Sequence, residues 1–160
     1  MKPILINNLE FAKKQEAITH SIDVDSCERL LDLLVTSSPL PRNIRYNLTG
    51  STSIFHLPSL GLKIEATLPT LCQRCLQPMQ LDLSLDYEYV IAEVEPETFE
   101  GDEEIDWLEA SREMNVNTLV EDELLMAIPL GPLHDHACKP LIQEDVEKPN
   151  PFAVLKGLLK

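Results

Sequence analysis

The chain has 160 residues, 44% of them hydrophobic and 25% charged, an ordinary size and balance for one domain with a buried core. Its 27 Asp and Glu residues outnumber 13 Lys and Arg residues, so the formal net charge is -14. A surface this acidic repels phosphate backbones and attracts Lys- and Arg-rich proteins. Naked nucleic acid is therefore disfavoured as the main ligand and a basic protein is favoured, with simple solubility as the competing explanation of the charge.

Apolar stretches are too short for secretion or membrane insertion. The residues from Met1 to Asn7 contain too few apolar side chains for a signal peptide. The longest apolar runs, such as Leu124 to Ile128, fall far below the roughly 20 residues of a membrane-spanning helix. We therefore expect a cytoplasmic protein with no membrane segment. In a reducing cytosol, paired cysteines more often indicate metal or redox chemistry than structural disulfides.

The first predicted helix follows Asp25. The segment from Asp25 to Glu28 resembles a capping box, and apolar residues then recur at helical spacing until Pro39. These apolar residues are Cys27, Leu30, Leu31, Leu34 and Val35. Because Cys27 lies on the apolar stripe, we interpret it as a small buried hydrophobe and assign it to no site.

Alternation of apolar and polar residues predicts antiparallel strands between residues 42 and 91. The clearest strand covers residues 79–91, with one face apolar and the other acidic. Cys72 and Cys75 come just before it, in a short segment bounded by prolines. We therefore expect the Cys-x-x-Cys loop to lie between two strands.

A second helix is predicted from Thr118 towards Ile128, with Asn117 as its N-cap and a proline directly after it. These elements predict an α+β fold, in which an antiparallel β-sheet is covered on one face by the Asp25 and Asn117 helices. We expect residues 1–147 to form this single domain. Residues 148–160 are predicted to be a C-terminal basic tail with a short helix.

A long acidic run follows the clearest strand. No Lys or Arg occurs between Arg74 and Arg112, and the run from Glu93 to Glu109 contains the only tryptophan, Trp107. Such a run is typical either of a solvated loop or of a segment that docks on a partner. Together with the outward residues of the preceding strand it supplies the candidate partner-binding residues, namely Asp82, Asp86, Glu88, Glu100, Asp102, Glu103, Glu104 and Asp106.

A possible zinc site combines the Cys-x-x-Cys pair with a downstream cluster. Cys72 and Cys75 supply two thiols, and a third thiol, Cys138, follows two imidazoles at His134 and His136. Three thiolates and one imidazole complete a tetrahedral zinc site, and closed Cys-rich sites of this kind are normally structural. The candidate set is Cys72, Cys75, His134 and Cys138, with His136 as the alternative imidazole and metal-free loops as the competing interpretation.

Enzyme chemistry is disfavoured by the surroundings of the thiols. A thioredoxin-like couple requires a strand-to-helix junction, whereas Cys72 and Cys75 are predicted between strands. A zinc deaminase requires a His-x-Glu ahead of its Pro-Cys-x-x-Cys, and this chain has the opposite order and lacks the glutamate. Phosphate-binding glycine loops and nucleophile elbows are absent from the sequence as well. We therefore expect a protein that is not an enzyme.

Three blocks of the chain are characteristic in combination. They are the Cys-x-x-Cys at 72–75, the stretch VEDELLMAIP at 120–129 that leads to His134 and Cys138, and KPNPFAVL at 148–155. Together they resemble the YceD family, the large ribosomal RNA subunit accumulation proteins. The resemblance spans nearly the whole chain. It implies a bacterial cytoplasmic factor needed for the synthesis, processing or stability of large-subunit (23S) ribosomal RNA.

The same resemblance bears on the partner, because members of that family are typically encoded beside a small, basic large-subunit ribosomal protein. This implication agrees with the acidic charge. We therefore expect a ribosome biogenesis factor that binds a basic ribosomal protein or a large-subunit precursor through its acidic surface. The alternative is a zinc- or thiol-dependent enzyme acting on RNA.

Overall fold

The computed structural model describes residues 2–53, 56–94 and 106–140. Within these ranges the chain forms seven β-strands, three α-helices and a 3-10 turn at Val24–Ser26. The strands are β1 (Leu5–Ile6), β2 (Ala17–Ile22), β3 (Asn43–Thr52), β4 (Pro58–Leu71), β5 (Pro78–Ala92), β6 (Trp107–Glu109) and β7 (Met114–Asn115). The helices are α1 (Asn8–Lys13), α2 (Glu28–Leu31) and α3 (Val116–Ala127).

Five of the described strands form one sheet in the order β2-β3-β4-β5-β6. The first four are successively antiparallel, and the short β6 runs parallel to β5. Strands β1 and β7 form a separate antiparallel pair. The predicted α+β class with a mainly antiparallel sheet is thus confirmed.

One face of the sheet contributes its side chains to the hydrophobic core. Residues directly opposite each other in antiparallel strands share a face, as Tyr46 and Ile64 do across β3 and β4. Alternate residues of β3 and β4 are buried, and helix α3 covers them with Val116, Val120 and Leu124. The Tyr46 hydroxyl donates a hydrogen bond to Asn117 Oδ1 at 3.2 Å. Burial raises the pKa of Tyr46 to about 12, which keeps this donor protonated at neutral pH.

The first predicted helix is much shorter than expected. Asp23, and not Asp25, caps the preceding 3-10 turn by accepting a hydrogen bond from the Asp25 N–H at 3.1 Å. The α-helix ends at Leu31, well before Pro39, and the Val35 N–H then donates to the Pro69 carbonyl at 2.9 Å. This bond to β4 draws the backbone away from a helical path. Cys27 is buried in the core, as interpreted from the sequence.

Helix α3 begins earlier than predicted because its N-cap is Asn115 and not Asn117. Asn115 is the N-cap and accepts the Asn117 N–H at 3.2 Å. Asn117 is buried inside the first turn, where its amide donates to the Lys2 carbonyl at 3.0 Å. The side chain of Asn117, the predicted cap, therefore forms tertiary hydrogen bonds and does not cap the helix. The end of the helix before Pro129 is as predicted.

Part of the acidic run is a strand rather than a solvated loop. Trp107 pairs with Val90 and Leu108 with Ile91, and both β6 side chains are half-buried. Residues 95–105, the domain boundary at 147 and the predicted tail at 148–160 lie outside the described residues. Among the helices described, none combines the length and apolarity needed to cross a membrane.

Helix α1 packs so closely on β3 that only glycine fits at position 50. A Cβ at Gly50 would overlap the Phe11 carbonyl oxygen and lie 2.9 Å from Ala12 Cα, whereas a Cβ at Gly131 would meet nothing within 4 Å. We expect Gly50→Ala to lower the free energy of unfolding by about 1–3 kcal/mol, as overpacking does. We expect Gly131→Ala to change it by less than about 0.5 kcal/mol. Urea denaturation measures both, and equal midpoints would contradict the α1–β3 packing.

Candidate metal centre

The two thiols of the Cys-x-x-Cys pair lie in the loop that joins β4 to β5, as predicted. The loop is tight because the Cys72 N–H donates to the Gln77 carbonyl at 3.0 Å and the Leu76 N–H to the Cys72 carbonyl at 2.8 Å. Leu76 has a positive φ of 55°, which reverses the chain after the second thiol. Both sulfurs are consequently held on the inside of the turn, with Cys72 fully buried and Cys75 9% exposed.

The segment after helix α3 is fastened to this loop by two hydrogen bonds. The Gln73 N–H donates to the Pro132 carbonyl at 2.8 Å, and the His134 N–H contacts Cys72 Sγ at 3.5 Å. Pro129 prevents the helix from continuing, so the chain leaves α3 in an extended path. His134 and Cys138 are thereby delivered to the two thiols of the loop.

Four ligand atoms converge at this point. Those of Cys72, Cys75, His134 and Cys138 all lie within 4.8 Å of one another. The Cys72 and Cys138 sulfurs are 3.7 Å apart, and Cys75 Sγ lies 3.4 Å from His134 Nδ1. Zinc bonds of about 2.3 Å to sulfur and about 2.0 Å to nitrogen in a tetrahedron put ligand atoms about 3.4–3.8 Å apart. The Cys72–Cys138 and Cys75–His134 separations therefore match those around a zinc ion.

His134 and not His136 belongs to the converging group. The His134 ring directs Nδ1 at Cys75, while the exposed His136 ring packs beside it with the centroids 4.6 Å apart and the planes tilted by 35°. The structure thus distinguishes the two imidazoles that the sequence left as alternatives. His136 is placed to shield its neighbour, because it covers one side of the His134 ring.

The electrostatics of the group favour a cation. Burial raises the pKa of the Cys72 thiol, but the backbone N–H groups of Cys75, His134 and Arg74 more than offset this and lower the pKa to about 5. Cys72 is therefore a thiolate at neutral pH, which is the form that binds metal. Burial and the neighbouring Cys72 and Cys75 sulfurs raise the pKa of Cys138. The Arg74 guanidinium lies 3.6 Å from the Cys138 sulfur and supplies part of the positive charge.

Three of the predicted partner-binding residues lie elsewhere, on the open face of the sheet. Asp82, Asp86 and Glu88 alternate along β5 and are all exposed, and Asp106 is exposed just before β6. The structure therefore brings the three β5 carboxylates onto one face. Glu100, Asp102, Glu103 and Glu104 lie outside the described residues.

Sequence reasoning missed two buried carboxylates on α3. Glu121 is 8% exposed and Glu123 is 6% exposed. Glu121 forms a 2.7 Å ion pair with Arg29, which joins α2 to α3. Glu123 lies against the phenols of Tyr87 and Tyr89 and contributes to raising the pKa of both, after burial. Glu123 follows Val116 and Val120 at helical spacing, and this pattern could have predicted that it lies on the core face.

We expect the purified protein to contain one zinc ion per chain, measured by mass spectrometry of the metal. His134→Ala should weaken zinc binding by more than the roughly 10–100-fold that loss of an outer partner of a ligand costs. His136→Ala and Cys27→Ala should keep the full stoichiometry. Cobalt substitution gives a second measurement, since thiolate ligands produce an intense charge-transfer band. Two results together would contradict the site: the purified protein contains no metal, and a chelator does not change its unfolding midpoint.

Comparison with known proteins agrees with the sequence resemblance. The family model for the large ribosomal RNA subunit accumulation protein YceD matches residues 60–159, a range that includes the thiol loop, α3, His134 and Cys138. A curated protein of that name from Haemophilus influenzae is 34% identical over 112 residues, which cover 60% of this chain and 62% of the relative. The chain thus aligns with less than two thirds of the length of that relative. No solved structure matches the chain at a significant level. Because the family model covers well over half of the sequence, the chain belongs to the YceD family of large ribosomal RNA subunit accumulation proteins.

Proposed function

We propose that the chain is an assembly factor of the large ribosomal subunit. Its family membership implies a role in the accumulation of large-subunit ribosomal RNA, and the name of the Haemophilus influenzae relative describes the same role. In this proposal the factor supports synthesis, processing or stability of that RNA indirectly, by binding a basic ribosomal protein or a precursor particle. The carrying observation is the row of outward carboxylates on β5, formed by Asp82, Asp86 and Glu88 and called the β5 acidic row below.

The β5 acidic row is available to a partner. Asp82 accepts hydrogen bonds from the Thr67 hydroxyl at 2.9 Å and from the Gln80 amide at 2.8 and 2.9 Å. These donors are neutral, so the charge of Asp82 is uncompensated, and Glu88 faces Gly61 across the sheet. Asp86 pairs with Lys63 at 2.9 Å, but both side chains are about two thirds exposed, at 67% and 69%. Exposed ion pairs of this kind contribute little to stability. A Lys or Arg of a partner can therefore replace Lys63 without disturbing the fold.

The metal centre supports a structural role better than a catalytic one. All four tetrahedral positions are supplied by the protein, so a zinc ion held there has no open position for a substrate or an activated water. The family name also describes an accumulation factor and no chemical reaction. In the proposed function, zinc holds the segment after α3 against the β4–β5 loop and the carboxylates on the open face perform the binding.

The charge requirement can be tested with a triple variant. We expect Asp82→Asn, Asp86→Asn and Glu88→Gln together to slow association with large-subunit precursor particles by about tenfold at low salt and to flatten the salt dependence. Sedimentation of the purified protein with particles from cells lacking this factor measures the binding. The same variant should fail to restore large-subunit ribosomal RNA levels in those cells.

A matched control carries the same change in net charge at another surface. Glu28→Gln, Asp32→Asn and Glu113→Gln also remove three exposed carboxylates, and these lie on the segments outside the sheet. We expect this control to retain binding and its salt dependence. Equal loss in both triple variants would show that only overall charge matters, and tight binding to naked ribosomal RNA by either variant would refute the protein-partner mechanism.

A further inference from the structure

The outer edge of β2 is an unpaired row of backbone groups. In the described sheet β2 is the terminal strand, and it pairs on its inner side with β3. The Gly50 N–H donates to the Glu16 carbonyl at 2.7 Å, which shows that the carbonyl of residue 16 points at β3, while its N–H donates to the Phe11 carbonyl. Backbone direction alternates along a strand, so Ile18, His20 and Ile22 also face β3. The N–H and C=O groups of Ala17, Thr19 and Ser21 therefore point away from the sheet.

This edge lacks the usual protection. Proteins normally blunt a free edge with Lys, Pro, a bulge or a covering segment. Strand β2 has the sequence AITHSI, which contains no charged residue and no proline, and it pairs with β3 without a bulge. Ala17, Thr19 and Ser21 are all exposed, and their outward backbone groups have no hydrogen-bond partner among residues 2–53, 56–94 and 106–140. The edge is thus a template for one more strand.

A cleft adjoins the end of this edge. It has a volume of about 290 Å³ and is lined by His20, Ser21 and Ile22 of β2, by Asp23 and Ser26 beyond it, and by Lys2 and Asn117 opposite. Asp23 is exposed and carries the carboxylate nearest in sequence to the strand end. In β-strand addition, backbone pairing supplies affinity and such side pockets select alternate side chains of the added strand. The cleft is placed to receive one side chain of a bound segment.

The charge around β2 bears on which kind of segment could pair with its outer edge. Strand β2 is bracketed by the exposed residues Glu16 and Asp23. A second copy pairing antiparallel would bring the Glu16 end of one strand towards the Asp23 end of the other, and would join two chains of net charge -14. An extended segment rich in Lys or Arg instead meets a carboxylate at each end of the strand and a chain of opposite net charge, although Lys2 also lines the cleft. We propose that the outer edge of β2 binds an extended segment of a basic protein as an additional antiparallel strand, through the outward backbone groups of Ala17, Thr19 and Ser21.

This inference rests on the proposed function for the basic character of the partner, and it adds the mode of binding. Residues opposite Ala17, Thr19 and Ser21 would share the polar open face, because directly opposed residues of antiparallel strands lie on one face. The probe is therefore a capped octapeptide of alternating Lys and Val, whose lysines fit the polar face. The control peptide carries N-methyl groups on the backbone nitrogens of the lysines, which removes the donors that would face β2.

Amide hydrogen exchange read by NMR gives the decisive measurement. In the free protein, the amides of Ala17, Thr19 and Ser21 should exchange quickly, while those of Ile18 and His20 should be protected. The unmodified peptide should slow the three outward amides by at least about tenfold, and the N-methylated peptide should not. Thr19→Pro should weaken peptide binding by about tenfold, whereas Thr19→Val, which keeps the N–H, should not. Circular dichroism checks that both variants fold.

Each other outcome overturns the inference in a different way. Peptide binding that leaves the three amides unprotected and disappears in the β5 triple variant would remove the edge as a site and leave the proposed function standing. No binding of the peptide at low salt would remove the edge as a site, and the proposed function would then stand or fall with the sedimentation of the β5 triple variant. Concentration-dependent dimers in the ultracentrifuge, with the same three amides protected, would assign the edge to a second copy of this chain.

Discussion

The pairing register between β4 and β5 is the constraint on which the rest of the molecule depends. The two strands pair without interruption from Ser59 with Val90 to Leu71 with Pro78. A shift by one residue would turn every side chain of one strand to the other face. The apolar residues of β5 would then meet water and its carboxylates would meet the core. The register therefore sets the core, the acidic open face and the position of the loop at the hairpin end in a single step.

The metal centre adds a second constraint that the sheet alone does not supply. Helix α3 packs across the core face and its end directs residues 132–138 to the hairpin loop, where three sulfurs meet. Crowding of sulfurs is unfavourable without a counter-charge, since Cys72 and Cys75 raise the pKa of the Cys138 thiol. The Arg74 guanidinium supplies one positive charge near it. A divalent cation bound at this candidate centre would offset the repulsion, because all three sulfurs would coordinate it.

Much of the sheet could be predicted because a period of two is a local property. Residues such as Ile44, Tyr46 and Leu62 are buried where the alternation placed them. Tertiary contacts decided the rest. Asn115 caps α3 because the Asn117 amide is needed by Lys2 and Tyr46, and α2 is short because the Val35 N–H bonds to β4. The convergence of Cys72, Cys75 and Cys138 was expected from chemistry, but choosing His134 over His136 required the path of the chain after α3.

The two halves of the candidate metal centre are far apart in the chain, since the residue numbers of Cys72 and Cys138 differ by 66. During synthesis the thiol loop leaves the ribosome first, and the remaining ligands follow only after α3 has been made. Closing so long a loop carries an entropic cost that falls once the hairpin and helix have formed. Zinc binding at this candidate centre would therefore be the last step of folding. A shortage of zinc would then leave the segment after α3 detached from the β4–β5 loop.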